Sequence, residues 1–389
     1  MMKVTGRSAQ RASLIGLAAT LLCVPALVGA STGAQATPIQ KHFETAISSV
    51  PQLSEEAWRA GKAEHGASTT AQQAVESYWT VSRMKAAKDI ADSPELRTAE
   101  KRFDEELAAQ QRQAKQGNGP ARETQGPEQT FAPASSTVAA MPEAAAGTES
   151  ASGLLPMSNP DLAYWHPTAR TNGKVFFTMD GQNYACSASV VNSAGKNTVW
   201  TAGHCVHGGR GGSWATNWSF VPAYDDDLAN PRPYGTWTAR QLWALTSWTG
   251  SSDFTSDMAV AVMNPRNGHH IVNYLGGHGL RINASKSTSM NIFGYSAVAP
   301  LDGGNLRKCQ GTSSPEVSFL WWSSDTLKVS CSDMNRGASG GPWLANYGGG
   351  YGYLNGINSR VDSYTNPRLV MSAYFDDSAL TLYNATTGL

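Results

Sequence analysis

From Met157 onward the chain runs for about 230 residues as short, β-prone apolar stretches broken by turn residues, with almost no helical period. The stretches fall at Val175–Met179, Tyr184–Val191, Thr198–Ala202, Met258–Met263, Met290–Tyr295, Phe319–Trp322, Thr326–Cys331 and Tyr353–Asn358. Between the first two lies Asp180-Gly181, a pair suited to a two-residue hairpin turn because both positions tolerate positive φ. A short helix fits only after Asp376. The long amphipathic helices that an α/β sheet places between its strands are missing. The pattern predicts an all-β sandwich or barrel with enough chain to bury a substantial core.

The first 156 residues are of another kind. Lys3, Arg7 and Arg11 precede an apolar run from about Leu14 to Val28, and Ala34-Gln35-Ala36 follows as an A-x-A site. That order predicts a secretory signal peptide over 1–36, with Ala30 as a second cleavage point. The run is too short for a spanning helix, and no later stretch reaches the roughly 18 apolar residues one needs. Residues 37–156 are rich in Ala, Gln, Glu, Lys and Ser. Within them Ala99–Gln113 reads as an exposed, mixed-charge helix, and Gly117–Pro156 has linker composition. The segment is expected to be a propeptide with a linker, the alternative being a disordered spacer. The predicted catalytic part is 157–389.

Thirty basic and thirty acidic side chains leave no net pull toward nucleic acid or an anionic membrane. Loss of the signal removes Cys23 and leaves Cys186, Cys205, Cys309 and Cys331, an even number in an exported chain. Of the three possible pairings, Cys186–Cys205 and Cys309–Cys331 are favoured; each closes a short loop, for roughly 3 kcal/mol apiece in the chain-entropy model.

Chemistry concentrates at "NRGASGGPW", residues 335–343. Gly337-Ala338-Ser339-Gly340-Gly341 matches the nucleophile elbow of α/β-hydrolases, whose acid and histidine follow the serine. Here all eight histidines precede Ser339, so that reading fails. A serine hydroxyl needs a base, and the base needs a partner to hold its tautomer. His204 in "TAGHC" and Asp257 in "SDMAV" stand at the ends of apolar strands, in the order His, Asp, Ser. Asp257 follows His204 by 53 residues, and Ser339 follows Asp257 by 82.

These three segments, in this order and spacing, resemble the signatures of chymotrypsin-like serine proteases over about 160–389. "FVPAY" (220–224) with "PYG" (233–235) is further similar to the bacterial glutamyl endopeptidases. The resemblance implies two six-stranded antiparallel β-barrels, about 160–265 and 266–389, with the site between them. It implies Ser339 as nucleophile, His204 as base, Asp257 as its orienting acid, and the Gly337 and Ser339 amides as oxyanion hole. Cys186–Cys205 would tie the His204 loop to the preceding strand. Asp333, Asn358 and Ser359 fall at substrate-binding positions: Asp333 where trypsin-like enzymes hold a pocket acid, Asn358 where glutamyl endopeptidases hold histidine, Ser359 in the strand that pairs with substrate. Ala338 stands where animal zymogens carry an acid for the freed N-terminus.

The expected protein is a secreted serine endopeptidase, a monomer acting on proteins or peptides, with no cofactor, nucleic acid or membrane partner. A non-catalytic secreted binding protein on the same fold, and an esterase, are the alternatives. Several groups are set aside. His204 and His207 lack further metal ligands at suitable spacing. His269-His270 are expected to face solvent, and Asp225–Asp227 to form an exposed acidic turn rather than a calcium loop. The twelve tryptophans are expected in the core.

Overall fold

The computed structural model describes residues 43–48, 53–118, 125–140, 142, 160–298, 300–319, 322–362 and 364–389. The expected signal peptide, its cleavage sites and the composition break near Pro156 lie outside the described residues.

The segment before residue 157 is folded against the barrels. It contributes β1 (Thr45–Ile47), α1 (Glu55–His65), α2 (Ala71–Tyr78), α3 (Val81–Ala86), β2 (Lys88–Asp89), α4 (Pro94–Lys115) and β3 (Gln129–Phe131). Each helix begins at a Ser or Thr whose side chain takes up a first-turn amide: Ser54, Thr70, Thr80 and Ser93. Pro94 opens α4, where its missing N–H costs nothing. Helix α4 is not the exposed helix its charges suggest. Leu96, Ala99, Phe103 and Leu107, three and four residues apart, form a buried stripe against the catalytic part. The stretch expected to be linker is likewise ordered in places: β3 pairs with a strand of the second half, and Ala134 bridges Gly277.

The first barrel contains β4 (Asn172–Met179), β5 (Gln182–Val191), β6 (Thr198–Thr201), β7 (Thr216–Pro222), β8 (Trp237–Leu245) and β9 (Ala259–Met263). These close antiparallel in the order β4-β5-β6-β9-β8-β7-β4. Asp180 and Gly181 make the β4–β5 turn with φ of 48° and 76°. Every residue of β4 is buried, because its outer face is covered too. Trp79 of the N-terminal segment lies 5.6 Å from Phe176 and donates from Nε1 to the Asn217 carbonyl at 2.6 Å. Strand β1 extends the sheet at β8, and β2 pairs parallel with β5 at Tyr184 and Ala185. One hydrophobic core therefore runs through the segment and the first barrel.

The second half holds β10 (Gly279–Ile282), β11 (Ser289–Gly294), β12 (Arg307–Thr312), β13 (Ser314–Pro315), β14 (Ser318–Phe319), β15 (Trp322–Ser323), β16 (Thr326–Ser330), β17 (Pro342–Gly348), β18 (Tyr351–Ile357), β19 (Arg360–Asp362) and β20 (Leu369–Ala373). They form two sheets, β12-β11-β17-β18-β10-β3 and β13-β16-β20-β19, with β14–β15 as a separate hairpin. Met290, Ile292, Leu327, Val329, Trp343 and Val370 fill the space between them. Cys309 on β12 and Cys331 after β16 are disulfide-bonded, Cα–Cα 6.1 Å, and join the two sheets. The expected strand Phe319–Trp322 is instead a hairpin whose ends pair with each other. The helix after Asp376 spans Asp377–Thr386, and Asp376 caps it by accepting from the Ser378 amide.

Candidate active site

Strand β6 ends at Thr201, and after Ala202 the chain makes a tight buried turn through Gly203-His204-Cys205. A Cβ at Gly203 would stand 2.8 Å from the Trp248 ring and 3.0 Å from Asp257 Oδ1, so only glycine lets the turn sit this close. The Cys186–Cys205 disulfide, Cα–Cα 6.2 Å, anchors the turn to β5. Asp257 stands just before β9, which pairs with β6, so strand pairing carries the carboxylate to the histidine.

The contacts are close. Asp257 Oδ2 lies 2.8 Å from His204 Nδ1, and Oδ1 accepts from the His204 amide at 2.9 Å. Ser359 Oγ donates to Asp257 Oδ2 at 2.6 Å. His204 is 1% exposed and Asp257 0%. Burial by itself pushes the Asp257 carboxyl up, yet the charge and hydrogen bond of His204, the Ser359 hydroxyl and the His204 amide bring it below the ordinary value. Burial likewise pushes His204 down, but the charge and hydrogen bond of Asp257 outweigh it, and the imidazole is raised above 6.5. Both directions say the same thing: this pair stabilises a charged imidazole. His204 Nε2, the nitrogen left for a substrate or nucleophile, has no hydrogen-bond partner among the described residues.

Ser339 comes from the turn before β17. Gly337 there has φ of 88°, and a Cβ would lie 2.6 Å from the Tyr295 carbonyl. At Gly340, φ 80°, a Cβ would collide with Thr201 Oγ1 at 2.1 Å. These two positions explain the glycines of the motif. The Ala338, Gly340 and Gly341 amides are engaged with the Asn335, Asn358 and Ala338 carbonyls. The Ser339 carbonyl accepts from the Ser187 amide at 2.6 Å and faces Cys205 Sγ at 3.8 Å, which presses the nucleophile turn against the disulfide beside His204.

The substrate-binding expectations fare unevenly. Asp333 is exposed rather than sunk at the floor of a pocket. Asn358 is 2% exposed, and its side chain is committed: it accepts from Trp343 Nε1 at 2.9 Å and donates to the Phe293 and Ala338 carbonyls. It braces the Ser339 turn. Ser359 reaches Asp257, a contact hidden in sequence by a separation of 102 positions. The sequence also placed Arg336 and Arg360 near the pocket as the charges that would select acidic residues if Asp333 pointed away, and Arg360 is the more buried of the two. It is 4% exposed, pairs with Asp104 at 2.6 Å and Glu316 at 2.5 Å, and lies over the Phe103 and Phe254 rings at 4.7 and 5.3 Å. His269 and His270 are half-buried, His269 stacked on Tyr274 and His270 bonded to Asn197, because the turn folds back on the barrel.

No family model matches the sequence. The chain is similar to the thermostable serine protease AL20 from an extremophilic microorganism, at 33% identity over 57% of this chain and 98% of that one, TM-score 0.51. It is similar to the protease Anisep of Arthrobacter nicotinovorans, at 35% identity over 58% of this chain and 98% of that one, TM-score 0.52. A curated relative, the extracellular metalloprotease of Bacillus subtilis (strain 168), is 30% identical over 168 residues, 42% of this chain and 47% of that protein. The chain thus spans about half the length of the curated relative it matches. By fold and by these likenesses the chain is a chymotrypsin-like serine protease.

That relative's name raises the question of a metal. Among the described residues the one cluster of potential ligands is Cys186, His204 and Cys205. Its two sulfurs are bonded to each other and the imidazole is bonded to Asp257, so this donor set does not fit a metal. Among the described residues no helix is long and apolar enough to cross a membrane.

Proposed function

We propose that the protein is a secreted serine endopeptidase in which Ser339 attacks the scissile carbonyl, His204 takes and returns the proton, and Asp257 orients His204. The observation that carries this reading is the wholly buried His204–Asp257 pair, clamped by Ser359 and by the His204 amide, with Nε2 left for the nucleophile's proton. The Gly337 and Ser339 amides would receive the oxyanion, a role that the positive φ of Gly337 suits. A bond breaks in two balanced stages: the serine oxygen displaces the leaving amine, which departs with the proton held on His204; water then gives a proton to His204 and its oxygen to the acyl carbon, and Ser339 leaves as the alkoxide that takes that second proton from His204. The substrates are proteins or peptides, cut by a monomer.

Residues 1–36 would be removed as a signal and 37–156 as a propeptide, leaving 157–389 as the active enzyme. The burial of Ser339 at 6% exposure, with the segment folded on the first barrel, supports removal of that segment before the enzyme acts. Exposure of Asp333 and the two carboxylates held by Arg360 favour acidic over basic substrate residues. The test is fluorophosphonate labelling with peptide mapping, beside casein hydrolysis. Label on Ser339, and its loss with casein hydrolysis in Ser339→Ala, are expected; label elsewhere, or undiminished hydrolysis, overturns the assignment.

A further inference from the structure

The most extensive unexplained feature is how residues 88–107 lie on the catalytic part. Strand β2 pairs with β5 at Ala185, next to Cys186 and therefore beside the His204 turn. Fifteen positions later Asp104 bonds Arg360, next to Ser359. Between these ends Asp92 pairs with Arg336, which directly precedes Gly337, at 2.6 Å. Phe103 packs on Phe254, three residues before Asp257, at 5.4 Å between centroids. The Asp89 and Glu100 carboxyls both feel the charge of His204. One short piece of chain thus touches the surroundings of all three site residues.

Its direction is informative. In the reaction proposed above, on which this step rests, the leaving amine receives its proton from His204. The part of a substrate after the scissile bond must then lie toward His204 and the Cys186–Cys205 bridge. The acyl part must lie toward Ser359 and Arg360, the strand expected to pair with substrate. A substrate therefore runs from the Arg360 side to the Ala185 side, amino to carboxyl. Residues 89–104 run from Ala185 to Arg360, the opposite way, and β2 is parallel to β5 rather than antiparallel.

We propose that residues 88–107 are a built-in inhibitor, laid across the catalytic cleft in the reverse sense to a substrate and held there by the Asp92–Arg336 and Asp104–Arg360 pairs. The reverse sense matters chemically. A peptide bond of this segment that approached Ser339 would turn its carbonyl side toward His204 and its amine side away from it. The leaving nitrogen would have no proton donor. Most of the segment is also helical, with its amides and carbonyls bonded within α4, so it has no free edge to offer the Ser359 strand. The cleft is covered by something that it cannot cut.

The experiment uses the full chain with the segment intact. Two charge reversals, Asp92→Lys and Asp104→Lys, set like charges against Arg336 and Arg360. Glu105→Lys and Glu106→Lys, exposed on the same helix, form the control. The first readout is the fluorophosphonate labelling rate; the second, independent of catalysis, is hydrogen exchange at residues 88–107 and 203–205. The cleft variant is expected to label at least tenfold faster than the parent and to lose protection at both stretches, with the control like the parent. Equal protection in the cleft variant and the parent overturns the proposal. Lost protection with no label in any form supports the docking and instead sinks the serine nucleophile. Mass spectrometry of the first products tests direction: an uncut 88–107 stretch is expected, whereas early cuts inside it mean a substrate-like orientation and overturn the reverse sense.

Discussion

Asp257 is buried without exposure, yet it accepts from three donors, of which the Ser359 hydroxyl can be removed while His204 stays in place. Ser359→Ala deletes a hydrogen bond to a charged acceptor, worth about 1.5–3 kcal/mol, and is expected to lower kcat/KM by about 10–100-fold while the fold persists. Steady-state kinetics and a thermal melt check both halves of that statement. Asp257→Asn is expected to cost about 10⁴ in kcat, the figure known for a triad of this type. The same variant has a second signature. His204 is raised by Asp257 against a burial effect that lowers it, so the acid limb of the activity profile belongs above pH 6.5. With the carboxylate gone, burial is opposed only by the weaker pull of Glu100 and Asp89, and the limb moves to lower pH. A residual-activity profile that does not move refutes the coupling. The three site residues were legible because each sits in a short motif at a strand end. Ser359 as a donor to Asp257 and Asn358 as a brace were not: the first is a contact between the two halves of the chain, and the second depends on how β17, β18 and the Ser339 turn pack within the second half.

Among the elements, α4 shows how charge can disguise a buried face. Its surface residues are mostly charged, but Phe103 is 8% exposed and wedged between Phe254 and the Arg360 guanidinium. Truncation to alanine removes that wedge, at a cost of about 3–5 kcal/mol for a buried phenylalanine. Phe103→Ala is expected to loosen α4 selectively. Hydrogen exchange over 94–115 should rise while β4–β5, closed in the first barrel, stays protected; an unchanged α4 contradicts its docking role. The helix reads from its composition as exposed, and the stripe of Leu96, Ala99, Phe103 and Leu107 within it is missed among the charges. What it would cover was hidden as well, because the partner is a turn 150 residues away. The β4–β5 hairpin, by contrast, followed directly from its turn chemistry, and so did the cap at Asp376.

Over the whole molecule, proton binding links the segment to the barrels. Burial, first of all, pushes the Asp89 carboxyl up to about 6; the Ala91 amide, His204 and Arg336 pull it back, and Asp92 adds to the rise. A docked group raised above its ordinary 3.8 contributes most below that pH and loses its contribution as pH rises through about 6. Docking of the segment is therefore expected to weaken between pH 5 and 7.5, and Asp89→Asn to flatten that dependence. Exchange protection of residues 88–107 at the two pH values decides it. His278 acts in the opposite sense on the barrels. It is wholly buried, neither ring nitrogen has a partner among the described residues, and burial lowers it to about 3. Its stabilising neutral form is present above 6.5, and the contribution is lost as pH falls from there toward about 3. His278→Phe should reduce the fall in melting temperature across that range; an equal fall in both proteins rules His278 out.

The amino-acid sequence alone determined what local chemistry determines: β-structure from short apolar runs, a hairpin from Asp180-Gly181, helix starts from Ser and Thr, and a His–Asp–Ser order that excludes the elbow reading. The tertiary structure alone decided what depends on distant segments meeting. It joined the two sheets of the second half, turned Ser359 to Asp257, left Asp333 in solvent, and laid α4 over Arg360. Turn and capping preferences act within a few residues, so they leave a mark in the sequence. Burial and ion pairing across a cleft depend on which surfaces the packed barrels bring together, and no short stretch of chain records that.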